Sequence, residues 1–247
     1  MALAGLLLAL FCIALAQWWH GGSLWGLVDG PAFLIVAGGT LGAVALQTPW
    51  PQCRAAGLAL GRLWREPDWP FHEQAARLLR WSGEARQQGF LSLEARLDDD
   101  SLDTFTRQGL QWLVDGTEPQ ALERLFDHEL DRLEEQREQE ARVYEAMGGY
   151  SPTIGIIGAV LGLIQAMSHL DDPARLGAGI AVAFVATLYG VGLANLLLLP
   201  VANRLRALHR RELRYRELTC VGLLAIARGE NSLTVSRQLG QYREPHS

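Results

Sequence analysis

The residues of this chain that could do chemistry inside a membrane are few and neutral. Four apolar blocks lie at residues 2–19, 31–47, 152–170 and 177–199, and the third and fourth hold the hydroxyls of Thr153, Thr187 and Tyr189 and the amide of Asn195. The four blocks hold no internal Asp, Glu, Arg or His, the one histidine, His169, standing at the end of the third. Intramembrane ionisable groups are costly and usually mark ion routes or proton relays. A chain without them serves an ion gradient only if a partner brings the titrating group while this chain supplies a polar lining. Otherwise the blocks are an inert anchor, and residue types alone leave both readings open. Cys12, Cys53 and Cys220 lie far apart in the chain, with no paired or metal-ligand spacing, which argues against a disulfide framework or a zinc site. Nothing resembles a nucleophile–base pair or a phosphate-cradling glycine loop, so an enzyme is disfavoured. The net charge of −5 gives no reason to expect nucleic-acid binding.

The elements that would carry these groups follow from hydropathy. A bilayer core needs about 20 mostly apolar residues in helical form, with roughly 17 to 25 tolerated, and each of the four blocks falls near that range. The second is the shortest and reads as a span because it sits beside the first. The first lacks the basic n-region of a signal peptide and ends in Trp18-Trp19, rings suited to a membrane interface, which favours a retained span. Every basic residue is arginine. The segment between blocks one and two has none and that between three and four has only Arg175, so the arginine-rich stretches 54–142 and 204 onward are expected on the cytoplasmic side. The expected fold class is an all-α membrane protein. It has a transmembrane hairpin (1–48), a large helical cytoplasmic insertion (49–150), a second hairpin (151–200) and a cytoplasmic C-terminal helix with a tail (201–247), both termini being cytoplasmic.

Within the insertion, residues 49–115 read as short helices broken by turns such as Glu66-Pro67. Thr117-Glu118-Pro119-Gln120 resembles a helix start, with Thr117 as N-cap. Leu122, Leu125, Phe126, Leu130 and Leu133 then recur at helical spacing, with Glu129/Arg132 and Glu138/Arg142 placed to pair. After Pro200 a helical pattern resumes from Val201 to about Arg228, with Arg204, Arg206, Arg210 and Arg211 placed to meet anionic headgroups or simply to anchor the topology. Gly229-Glu230-Asn231 ends it, and a short polar tail follows.

Blocks three and four are dense in small residues, among them Gly155, Gly158, Ala159 and Gly162, then Gly179, Ala183, Ala186 and Gly190. Small residues let helix backbones approach closely in lipid, which predicts assembly and no more. Pro152 and Pro200 are expected at the cytoplasmic ends of the two blocks. There they either punctuate helices or form a bend through which motion passes outward.

The run 146–163, from Ala146-Met147-Gly148-Gly149-Tyr150-Ser151-Pro152-Thr153 to Gly162-Leu163, resembles the third-span signature of the MotA/PomA flagellar stator family. Asp171-Asp172-Pro173, Leu176-Gly177 through Ala186-Thr187-Leu188-Tyr189-Gly190, and Leu199-Pro200-Val201-Ala202-Asn203 extend it, as do Ala37-Gly38-Gly39-Thr40, Gly109-Leu110-Gln111 and Val114-Asp115-Gly116-Thr117. The resemblance implies a subunit of the bacterial inner membrane, several copies of which ring the single-span helices of a MotB-like partner. That partner carries a membrane Asp and a peptidoglycan-binding domain. Ion passage there drives the ring against the rotor protein FliG, with no cofactor beyond the proton as coupling ion. Matched residue by residue, Pro152 and Pro200 fall on the prolines that couple ion flow to torque. Thr187 falls on a hydroxyl position facing the partner's Asp. Ala159 stands where sodium-driven relatives carry Thr, and a methyl group offers a hard cation no oxygen. Arg86 and Glu94 match a charged pair that contacts the rotor, although Gln87 stands where relatives often have a second basic residue.

The alternatives are a TolQ/ExbB-like energiser, disfavoured by four spans and the Gly-Gly-Tyr-Ser-Pro-Thr run, and an autonomous channel or transporter, which would need ion-coordinating residues of its own.

Overall fold

A computed structural model describes residues 2–19, 21, 24–64 and 67–242. Residues 1 and 243–247, and the Glu66 half of the expected Glu66-Pro67 break, lie outside the described residues. Those described form helices and turns, with no strand among them. α1 covers Ala2–Trp19, the extent read from the sequence. After a 3-10 turn at Leu24–Leu27, Asp29 caps α2 (Gly30–Phe33) by accepting from the Ala32 N–H at 2.7 Å. A π-helical segment, Leu34–Gly38, leads on into α3 (Gly39–Gln47), so helix runs without a break to Gln47.

α4 (Trp50–Trp64), α5 (Phe71–Gln88), a 3-10 stretch at Phe90–Arg96 and α6 (Thr104–Val114) supply the short helices expected before residue 115. α7 runs from Pro119 to Met167. It starts two residues beyond the expected cap: the Leu122 N–H bonds the Glu118 carbonyl, so Pro119 occupies the first helical position, where its missing N–H costs nothing. Glu129 and Arg132 pair along its surface at 2.6 Å. α8 (Pro173–Gly192), a second π segment at Leu193–Leu198, and α9 (Leu199–Ala227) follow one another without a turn.

Of the two readings of the prolines, helix punctuation is corrected here. Pro152 does not begin a helix but lies inside α7. Pro200 does not separate two helices, because the π segment before it widens the turn where the proline ring would meet the carbonyl four residues back. The first part of the polar tail after Asn231 is also helical. Asn231 accepts the Thr234 N–H at 2.8 Å and caps α10 (Ser232–Gly240), which buries Val235 and Leu239.

Three helical stretches are long and apolar enough to cross a bilayer, at Trp25–Gln47, Pro119–Met167 and Pro173–Ala227, and a shorter apolar one lies at Leu7–Trp19. The chain divides into two compact units, residues 1–65 with 139–206, and residues 66–138 with 207–247, so α7 and α9 each contribute to both.

In the first unit, Val44, Ala56, Ala59, Ala141, Tyr144, Leu198, Ala202 and Leu205 form one buried cluster, and Ala32, Val36, Val185 and Ala186 another. The Tyr144 hydroxyl donates to the Ala56 carbonyl at 2.8 Å, and Arg62 meets the buried Glu140 at 2.6 Å. In the second unit, Leu78, Trp81, Leu93, Leu110, Leu113, Leu122, Phe126, Leu218 and Leu223 form the core. One polar knot crosses it: the Gln74 amide donates to the hydroxyls of Thr106 and Thr219, each at 3.0 Å. Burial, helped by the charges of Asp127 and Glu217, pushes the Cys220 thiol up, so Cys220 packs as a neutral hydrophobe.

Candidate functional site

The third and fourth apolar blocks meet along a seam that only small residues allow. On α7, Ser151, Gly155, Gly158, Gly162 and Ala166 recur at intervals of three and four, which aligns them on one helical face. A Cβ at Gly155 would lie 3.0 Å from the Ala186 carbonyl oxygen, one at Gly158 2.9 Å from the Ala186 methyl, and one at Gly162 2.8 Å from the Ala183 nitrogen. From the α8 side, a Cβ at Gly179 would lie 2.8 Å from the Ala166 nitrogen, and one at Gly190 2.7 Å from the Ser151 carbonyl oxygen. The two backbones are therefore in van der Waals contact from Ala166–Gly179 at one end to Ser151–Gly190 at the other. At that latter end the fully buried Ser151 hydroxyl donates to the Gly190 carbonyl at 2.9 Å. In an apolar setting this bond satisfies two groups that would otherwise be left unpaired.

Pro152 follows Ser151 and lies against the same contact, with its Cα 3.3 Å from where a Gly190 side chain would begin. Pro200, exposed, stands just past the Leu193–Leu198 π segment. Within that segment the Asn195 amide donates to the Val191 carbonyl at 3.0 Å.

Thr187 and Ala159 are both half-buried. The Thr187 hydroxyl donates to the Ala183 carbonyl of its own helix at 3.2 Å, which leaves its lone pairs available. Each of the two residues lies one position beyond the Gly158–Ala186 contact. Because the helices run antiparallel, a step of about 100° on each turns toward the same side, and Ala159 and Thr187 share a flank of the hairpin at one level. Tyr189, read in the sequence only as a polar residue, proves to be a tie. Its hydroxyl donates to the Leu27 carbonyl at 2.6 Å and accepts the Asp29 N–H at 3.0 Å, while Phe33 meets its ring edge-on at 6.1 Å. This fixes the entry of α2 to α8.

Arg86 and Glu94 belong to the second unit and are not part of this hairpin. Arg86 is in the last turn of α5, Glu94 in the following 3-10 stretch, and between them Gly89 makes the bend with φ +84°. Both are exposed, and among the described residues neither forms an ion pair within the chain, whereas Arg96 and Glu84 beside them pair at 3.2 Å. No group of three or more metal-ligating side chains occurs among the described residues.

Fold and site together define an all-helical membrane protein whose membrane site is made by helix faces and hydroxyls. The sequence profile of the MotA/TolQ/ExbB proton channel family matches residues 98–218. Motility protein A of Bacillus subtilis is 31% identical over 242 residues, 98% of this chain and 89% of that protein. The chemotaxis protein PomA of Vibrio alginolyticus is 31% identical over 223 residues, 90% of this chain and 87% of that one. Among solved structures, the C. jejuni MotAB structure superimposes with a TM-score of 0.93 at 26% identity, covering 100% of this chain and 96% of the other. The flagellar MotAB stator complex from Bacillus subtilis does so at 0.89 and 31%, covering 98% and 94%. The chain belongs to the MotA/PomA family of flagellar stator proteins.

Proposed function

We propose that this chain is the multi-pass subunit of a proton-driven flagellar stator. With a MotB-like, single-span, peptidoglycan-binding partner it forms the channel, and several copies ring that partner and push on the rotor protein FliG. The observation that carries the reading is the hairpin of α7 and α8. It is sealed along a small-residue seam, flanked by the Thr187 hydroxyl, and free of ionisable side chains in its interior. Such a surface handles protons only beside a carboxylate brought by another chain.

Four spans, residues 2–19, 31–47, 152–170 and 177–199, cross the bacterial inner membrane with both termini cytoplasmic. The domains are a hairpin (1–48), a cytoplasmic insertion (49–150), a second hairpin (151–200) and a C-terminal cytoplasmic part (201–247). The distribution of arginine supports this orientation. In this scheme Thr187 and Ala159 line the proton path, Pro152 and Pro200 transmit movement, and Arg86 and Glu94 meet the rotor. Pro152 sits against the Ser151–Gly190 contact and Pro200 beside a π segment, a helical variant that recurs at functional sites. The bare charges of Arg86 and Glu94 are suited to steering a docking partner. The chain's role is to form and move a channel, not to catalyse a covalent reaction.

Purification of the tagged protein from its native membrane in mild detergent tests this. A single-span protein with a membrane Asp and a peptidoglycan-binding domain is expected to co-purify. No partner, or a set belonging to a TolQ/ExbB-type energiser, would overturn the reading. The coupling ion is read separately in cells carrying only this stator. With Ala159 offering no oxygen, rotation speed is expected to stay constant when external sodium is varied at fixed proton motive force. A speed that tracks sodium would refute proton coupling while leaving the stator assignment in place.

A further inference from the structure

Three arginines of α9, Arg210, Arg211 and Arg214, border a cavity of about 380 Å³ in the second unit. Its remaining walls are Phe71 at the start of α5, Ala207, and Tyr242 just past α10, and among the described residues no carboxylate lines it. Elsewhere on the helix, arginines pair with carboxylates. Glu212 pairs with both Arg137, at 3.0 Å, and Arg216, at 2.7 Å, and Arg228 meets Glu123 at 2.8 Å. Among the described residues Arg210 and Arg214 hydrogen-bond to no carboxylate, although Glu217 lies within electrostatic reach of Arg214. Residues four apart on a helix stand roughly 5–6 Å from one another at Cβ, so the guanidinium groups of Arg210 and Arg214 can converge on one small anion. Planar forked donors suit phosphate oxygens better than a point charge does. The aromatic wall offers apolar surface to whatever the phosphate is attached to.

We propose that this groove binds a phosphate-bearing anion, with Arg210 and Arg214 gripping the phosphate, Arg211 beside them, and Phe71 and Tyr242 holding the organic part. Two sources share this chemistry, the headgroup of an anionic phospholipid and a soluble phosphate compound. The lipid source rests on the membrane topology proposed above; the phosphate chemistry does not. Helical side chains lean toward the helix N-terminus, which for α9 is the membrane end.

The test uses the full-length protein purified in detergent with whatever co-purifies. Binding of dioctanoyl phosphatidylglycerol and of inorganic pyrophosphate is counted by native mass spectrometry, with dioctanoyl phosphatidylcholine as the neutral control. The expected result is that at least one anionic probe binds, phosphatidylcholine does not, and R210Q/R214Q weakens binding about tenfold or more. R210K/R214K, which keeps both charges and favours helix, is expected to weaken it severalfold through loss of the fork, and it reports on the groove even if the glutamine variant does not fold. Phosphatidylglycerol bound without competition from pyrophosphate assigns the groove to lipid, and pyrophosphate bound in its own right assigns it to a soluble phosphate compound. Binding that is absent in the wild type, or equal in the wild type and both variants, overturns the proposal.

Discussion

Replacing Gly190 by alanine is expected to destabilise the α7–α8 hairpin by about 1–3 kcal/mol, the usual cost of overpacking, and toward its upper end. The added methyl would lie 2.7 Å from the Ser151 carbonyl oxygen and 3.0 Å from the Gly155 Cα. Both are backbone atoms and neither can rotate out of the way, so the helices must separate. Separation also breaks the Ser151–Gly190 hydrogen bond in a setting where no water replaces it. Gly192, two residues on, has nothing within 4 Å of its Cβ position, and Gly192→Ala should be neutral or slightly stabilising because alanine is the better helix former. Thermal inactivation of the two purified variants in the same detergent measures the contrast. Equal behaviour would show that the seam does not hold the hairpin.

The second large effect is expected at Arg62. Its guanidinium meets Glu140 at 2.6 Å, and the Glu140 side chain is only 3% exposed against 26% for Arg62. Removing one partner of a buried pair costs about 3–5 kcal/mol, because the survivor keeps its charge without compensation, whereas replacing both is often close to neutral. Partial exposure of Arg62, and the further contacts Glu140 keeps, place Arg62→Met at or below the lower end of that range. The double variant R62M/E140M should then recover most of the loss, with a coupling well above the few tenths of a kcal/mol seen for independent sites. A double-mutant cycle on thermal unfolding decides the matter, and additive losses would mean that the pair is not a unit.

Elements set by local composition could be read directly from the sequence. α1 occupies the residues of the first uncharged block, and helix fills residues 30–47, where the second block was read. The small residues of blocks three and four signalled close approach, and the seam is that approach. What could not be read depends on atoms distant in sequence or on a backbone variant with no residue signature. Arg62 and Glu140 are 78 positions apart, and Tyr189 and Leu27 are 162 apart. Nothing in Leu-Ala-Asn-Leu-Leu-Leu announces a π turn, and without one Pro200 naturally reads as a break. α10 was missed for a different reason. Its polar composition resembles a tail, yet Asn231 as cap and Val235 and Leu239 four apart are a legible helix signal that polarity obscured. For the proposed site residues, the family resemblance supplied the positions. The structure adds that Thr187 and Ala159 share a flank, that Pro152 lies against Gly190, and that among the described residues Arg86 and Glu94 form no ion pair.

The seam between Ala166–Gly179 and Ser151–Gly190 has one more property. Glycine and alanine possess no rotamers, and burying them surrenders almost no side-chain entropy. A joint made of them has no alternative interlocking to fall into and no torsions to soak up an imposed load. Interfaces built from leucine and methionine yield by exchanging rotamers, which spreads a push over many small adjustments. This one has little to exchange, so a displacement applied at one end of the hairpin arrives at the other end nearly undiminished. The two helices are in that sense a strut, and the backbone departs from regular α-helix only beyond it, at the Leu193–Leu198 wide turn.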